Sequence, residues 1–146
     1  MSCSCPESIT PLAAVQFGET GAVHRDELLD QSLHLWLSAN RPDGPPHTTP
    51  VWFVHDQGTL WLSITTGSRK ASLLRTDPRV SAAIAGTEPD GGLVGQGTAE
   101  LVDVGARPDV VAALTAKYGW DAADPATDGA RVLVRVTVDR WLLEPS

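Results

Sequence analysis

Ser68, Arg69 and Lys70 stand together in the stretch SITTGSRKASLLRTDP, residues 63–78. A short apolar run ends at Gly67, and a helical pattern begins just after it. Ser68 is a plausible cap, Leu73 and Leu74 face inward, and Asp77-Pro78 is a stop. A helix start presents backbone N–H groups and the positive end of a dipole. There the Ser68 hydroxyl, the Arg69 fork and the Lys70 ammonium can converge on one phosphate, a group with nearly two charges and several acceptor oxygens. The competing reading is a solvated basic helix start. The dipole opposes it, because a cation at a helix N-terminus costs about 0.3–1 kcal/mol.

Other chemistry is hard to find. The sequence has no G-x-S-x-G elbow and no S-x-x-K. His24, His34, His47 and His55 lack the spacing of H-E-x-x-H, and no Walker motif occurs. GLVGQG imitates a dinucleotide fingerprint, but it sits inside a strand pattern. The carboxylates fall in turns and helices, so no acid–base pair stands out. Cys3 and Cys5 offer two ligands where zinc takes about four, and no disulfide framework exists. No metal site and no catalytic side chain are assigned.

The bulk numbers narrow the class. With 146 residues, 42% hydrophobic and 20% charged, the chain fits one soluble domain. The net charge of −7 argues against binding to nucleic acid or anionic membranes. Yet Arg69, Lys70, Arg75 and Arg79 cluster in a chain with 11 lysines and arginines in all, so a local field can hold a local anion. No apolar run is long enough to span a bilayer, and the N-terminus lacks a signal-peptide pattern. The expectation is a cytoplasmic protein.

Strands dominate the elements that would hold this site. Residues 1–24 read as a flexible lead-in and 25–146 as the domain. A first helix is expected near HRDELLDQS (24–32). LHLWLSAN (33–40) alternates with period two, as a strand does. After the RPDGPP turn come HTTPVWFVHD (47–56) and TLWLSIT (59–65), completing an antiparallel meander. RVSAAIAG (79–86) and LVGQGTAELVDV (93–104) follow around an EPDGG turn. The glycines of the second suggest a bulge or a close backbone approach. RPDVVAALTAKYG (107–119) reads as a helix with Val111, Leu114 and Tyr118 on one face. A polar connection, DAADPATDGA, leads to RVLVRVTVDRWLLE (131–144). About six strands without a βαβ repeat predict a mainly β (α+β) fold, a small antiparallel barrel with flanking helices.

A strand ending in small hydroxyl residues, then SRKA, an aliphatic pair, DPRV and another strand resembles the flavin-phosphate segment of the pyridoxamine 5'-phosphate oxidase-like split-barrel family. RPDGPPHTTPVWFVHDQGTLWLS is similar to the entry of its actinobacterial branch, which includes enzymes using coenzyme F420. GQGTAELV and RVLVRVTVDRWLLEP fit as well. The match runs over residues 33–145 in the right order. The resemblance implies a six-stranded split β-barrel, a homodimer with two sites at its interface, and FMN or F420 as cofactor. It also implies an oxidoreductase acting on a small molecule, or a non-enzymatic flavin or haem binder. By position, Arg69 and Lys70 would grip the phosphate, helped by Ser68 and by Ser63 or Thr65. Thr49, Pro50, Val51 and Trp52 would line the ring, and Trp141 would reach the partner's site. Plain packing is the alternative for Trp52 and Trp141. The chain departs from the oxidases proper: it has no R-x-H, and Pro50 stands where they place an arginine. These departures speak against pyridoxamine phosphate itself as the substrate.

Overall fold

The computed structural model describes residues 21–86, 91–124 and 129–145, without the side chains of 21–24. The expected lead-in with Cys3 and Cys5 lies almost wholly outside these residues, as do parts of the EPDGG turn and of the connection before Arg131. Among the described residues there are three α-helices: α1 (Gly21–Gln31), α2 (Arg69–Thr76) and α3 (Pro108–Tyr118). Seven strands accompany them: β1 (Leu35–Ala39), β2 (His47–Val51), β3 (Val54–Asp56), β4 (Thr59–Thr65), β5 (Arg79–Ala85), β6 (Gly92–Val102) and β7 (Arg131–Leu143). No helix among the described residues is long and apolar enough to cross a membrane.

The strands form one antiparallel sheet in the order β2-β1-β5-β6-β7-β4-β3. Its two end strands, β2 and β3, are consecutive in the chain, with only Trp52 and Phe53 between them. Two residues reach less than ~11 Å beyond their neighbours. The sheet must therefore curl until its ends nearly meet, which makes a split barrel.

Seven strands replace the expected six because the single strand read at 47–56 divides. Its first half pairs with β1 and its second with β4, so the expected meander breaks at Trp52-Phe53. Helix α3 pins this corner. The Tyr118 hydroxyl accepts from Phe53 N–H at 3.0 Å and lies 2.9 Å from Leu33 O and 3.0 Å from Phe53 O. Lys117 Nζ also donates to Phe53 O at 3.0 Å. These groups satisfy backbone atoms that a turn out of the sheet would leave bare.

Two apolar clusters result. The barrel interior holds Leu35, Leu37, Phe53, Leu60, Leu62, Val134 and Val136, among others. The second lies under α3: Trp61, Val110, Leu114, Ala122 and Leu133. Strand β4 serves both, with Leu60, Leu62 and Ile64 in the first and Trp61 in the second. Each fully buried side chain of this kind contributes about 1.5–3 kcal/mol. The long pairing of β6 with β7 carries register shifts at Val94/Gly95 and Gln96/Gly97. A Cβ at Gly97 would lie 1.9 Å from Thr137 O, so only glycine permits the close approach expected there.

Candidate functional site

A cavity of about 520 Å³ lies at the split, within the ~300–1,000 Å³ usual for small-molecule and cofactor sites. One wall is the end of β2 and its corner: Pro50, Val51 and Trp52. The opposite wall is β4, through Ser63, Ile64 and Thr65. Ser68 and Lys70 enter from the start of α2, Leu114 and Trp120 from α3 and the turn beyond it, and Arg131 from β7. Among the described residues β2 pairs only with β1, so the backbone groups of its other edge face the split, without an N–H at Pro50.

The charge of this lining is opposite to that of the chain. The protein carries −7, yet among the described residues the lining contains two cations, Lys70 and Arg131, and no carboxylate residue. Thr65 and Arg131 are register partners on β4 and β7. Ser68 caps α2 three residues after Thr65, so Arg131 and the helix start share one end of the cavity. The helix forms locally as the sequence expects. Ser68 Oγ accepts from Ala71 N–H at 3.2 Å, and Ala71, Leu73 and Leu74 are buried. Helix geometry leaves the N–H groups of Arg69 and Lys70 outside the intrahelical ladder.

Two expected donors are committed elsewhere. The Ser68 hydroxyl donates to Thr65 O at 2.8 Å, and that of Ser63 to Ala122 O at 2.6 Å. A hydroxyl has one proton to give. Neither serine can then donate to an anion without releasing its present acceptor. Anion binding is left to the helix N–H groups, the cations and the Thr65 hydroxyl.

The other side of the cavity is aromatic. Trp52 stacks on Tyr118, with centroids 4.5 Å apart and planes 2° from parallel. It meets Trp120 edge-on at 5.6 Å. Trp52 Nε1 donates to His34 Nε2 at 3.2 Å. Although 42% exposed, Trp52 is thus held on three sides. Behind it, burial pushes the Lys117 ammonium below its usual range, partly offset by Asp30. Burial likewise raises the Tyr118 hydroxyl, partly offset by its hydrogen bond with the Phe53 backbone. Tyr118 therefore keeps its proton near neutrality, and both groups donate to backbone carbonyls at the corner.

Of the ten residues named from the sequence, Pro50, Val51, Trp52, Ser63, Thr65, Ser68 and Lys70 line the cavity. Three do not. Arg69 is exposed at the first turn of α2. Thr49 sits on β2 with a buried Oγ1 that has no hydrogen-bond partner. Trp141 packs within its own chain, against the barrel core and over Gly95, with Arg25 stacked on its ring at 5.3 Å. Ile64, Leu114, Trp120 and Arg131 were missed. A tryptophan directly after the Gly119 helix stop was the available signal for Trp120. Arg131 had none, because the β4–β7 register alone brings it to Thr65. No group of three or more metal-binding side chains occurs among the described residues.

The lining fits a flavin-type ligand in size, in its aromatic wall and in a cationic end for a phosphate. No curated protein sequence matches the chain. Solved structures do resemble it. A conserved hypothetical protein from Mycobacterium tuberculosis shares 30% identity over 80% of this chain and 79% of that one, with a TM-score of 0.65. An F420 reductase shares 25% over 87% and 98%, with a TM-score of 0.66. The haem storage protein of Vibrio cholerae shares 21% over 81% and 90%, also at 0.66, a likeness of fold. The family model described as pyridoxamine 5'-phosphate oxidase matches residues 24–144, and the chain belongs to that family.

Proposed function

We propose that the chain is an FMN- or F420-dependent oxidoreductase that moves a hydride between the bound ring and a small organic substrate. The observation that carries this reading is the charge-inverted cavity at the split, with a helix start at one end and an aromatic wall at the other. The 25% identity to an F420 reductase supports a deazaflavin, and family membership supports FMN.

The ring, when bound, supplies the hydride chemistry. The protein supplies binding, orientation and dryness. Lys70 and the α2 start would hold the phosphate, with Arg69 adding to the field from outside. The edge of β2 from Thr49 to Val51 would set the ring's plane, with Trp52 fixed against it by His34 and Tyr118. The corner needs this rigidity, since a loose wall admits water. The absence of an acid–base pair in the sequence agrees with a cofactor that carries the reaction. A haem-binding alternative draws no support from the described lining, which has no histidine, cysteine or methionine, whereas a non-enzymatic flavin binder would use the same lining.

We further propose a homodimer. Register aligns Pro50, Trp36, Ala83, Val94 and Leu143 across β2, β1, β5, β6 and β7 on the outer face. Trp36 is 49% exposed and Leu143 44%. An apolar row of this kind suits an interface. Light scattering should give twice the chain mass. The cofactor reading is tested by the absorption spectrum of the purified protein and by titration with FMN and F420. Saturable binding of one of them is expected. Binding of neither removes the reading.

A further inference from the structure

We infer that Arg131 is a phosphate-gripping residue of the cavity, working beside Lys70. The inference rests on the cofactor reading above and goes beyond it, because nothing in the SRK segment points to a residue 61 positions later.

The argument starts from how the arginines are employed. Arg25, Arg41, Arg79, Arg107 and Arg135 each pair with a carboxylate: Glu144, Asp43, Asp77, Asp109 and Glu100. Arg69, Arg75 and Arg140 have no such pair among the described residues, but all three are exposed on the surface. Arg131 is partly buried at the cavity, and no carboxylate among the described residues pairs with it. Its Nε donates to the Asp124 carbonyl at 3.0 Å, and its guanidinium lies 4.6 Å from the Trp120 ring centroid. These two contacts fix the plane of the fork. They also leave its terminal N–H groups for a ligand. A fork held in this way loses little further freedom when it grips two phosphate oxygens.

Position agrees with employment. The register places Arg131 beside Thr65, whose carbonyl accepts both the Ser68 N–H at 3.1 Å and the Ser68 hydroxyl. Thr66 N–H is bound to Ala130 O at 2.9 Å, which ties the chain just before Arg131 to the loop that enters α2. The Ser63 and Ser68 hydroxyls have spent their protons, which leaves more of the grip to the cations. An anion there would meet the α2 N–H groups, Lys70 and Arg131 from different directions.

The test compares pairs of ligands with and without the phosphate-bearing group. Affinities for FMN and riboflavin, and for F420 and the deazaflavin riboside lacking its phosphate-linked tail, are measured by fluorescence titration. The wild type should prefer the phosphate-bearing member of at least one pair. Arg131→Gln should cut that preference by about tenfold or more while leaving the phosphate-free affinity unchanged. Arg131→Lys should recover part of it, since the charge remains and the fork does not. A preference kept within about threefold in Arg131→Gln overturns the inference and leaves the cofactor reading intact. Equal loss for both ligands of a pair also overturns it, because that marks structural damage through Trp120. A wild type that binds none of the four removes the cofactor reading, and the inference with it.

Discussion

The two ends of helix α2 both set charge against the helix dipole, and they resolve the conflict differently. At the C-terminal end the offending charge is Asp77, where a cation would be favoured. The chain answers it internally. Arg79 donates through Nε at 3.0 Å, Nη2 at 2.8 Å and its backbone N–H at 3.1 Å, and Asn40 adds Nδ2 at 3.1 Å. At the N-terminal end the offending charges are Arg69 and Lys70, with Arg131 nearby. Here the lining of the adjoining cavity holds no carboxylate among the described residues. A helix end whose misplaced charge is met by its own chain is a structural joint. One where Lys70 and Arg131 line a cavity also offers its charge to a ligand.

Ligand affinity should separate the two ends most widely. Lys70→Gln removes a charge-assisted contact worth about 1.5–3 kcal/mol, so the affinity for the phosphate-bearing cofactor should fall by roughly 10- to 150-fold. Arg69→Ala should cost less, because that side chain is exposed and lies off the cavity lining. Substitution of Asn40 at the other end should leave affinity unchanged. Equal losses from Asn40→Ala and Lys70→Gln would erase the distinction between joint and site.

The wall of the cavity gives the next largest effect, this time on stability. Tyr118→Phe keeps the stack on Trp52 but removes the hydroxyl that serves the Phe53 N–H. A partly buried donor left without its acceptor costs about 1–3 kcal/mol, to be read as a lower urea midpoint. A neutral result would mean that stacking alone holds the corner.

These examples also show what sequence can and cannot carry. The Ser68 cap and the Asp77-Pro78 stop rest on neighbouring residues, and the close approach at Gly97 is marked by the glycine itself, so their chemistry is visible locally. The corner at Trp52-Phe53 is not, because no glycine, proline or asparagine marks it. It is imposed by Tyr118, 65 residues further on. Arg131 joins the site only through strand register, which no local pattern encodes. The helix start was legible as a candidate anion site, whereas the serines' own hydrogen bonds, which redirect that task to cations, were not.

Ser68→Ala tests whether the N-terminal end keeps its shape without its cap. The Ala71 N–H loses its acceptor, and a cost of about 0.5–2 kcal/mol is expected, against only a few tenths for Ser68→Gly. Because the hydroxyl proton is already given to Thr65 O, cofactor affinity should fall only as far as the helix start frays. A large affinity loss with unchanged stability would mean that the hydroxyl turns to the ligand after all.

The smallest effect belongs to the joint, and its sign depends on pH. Hydrogen bonds from the Arg79 side chain, then from its backbone N–H and from Asn40, hold the Asp77 carboxyl far below the usual carboxylate range. The folded state therefore binds this proton less readily than the unfolded chain, whose ordinary value is 3.8. The resulting stabilisation is fully present above that value and is lost as pH falls through the depressed one. Asp77→Asn should thus be less stable than the wild type at neutral pH, and the gap should shrink once the pH drops below about 4. Arg79 is largely exposed, so solvent screens the pair and added salt should narrow the gap further. Urea midpoints at neutral pH and near pH 3 measure both. A gap independent of pH and salt would show that Asp77 holds its end of α2 by hydrogen-bond geometry alone, and its charge would no longer mirror the cations at the other end.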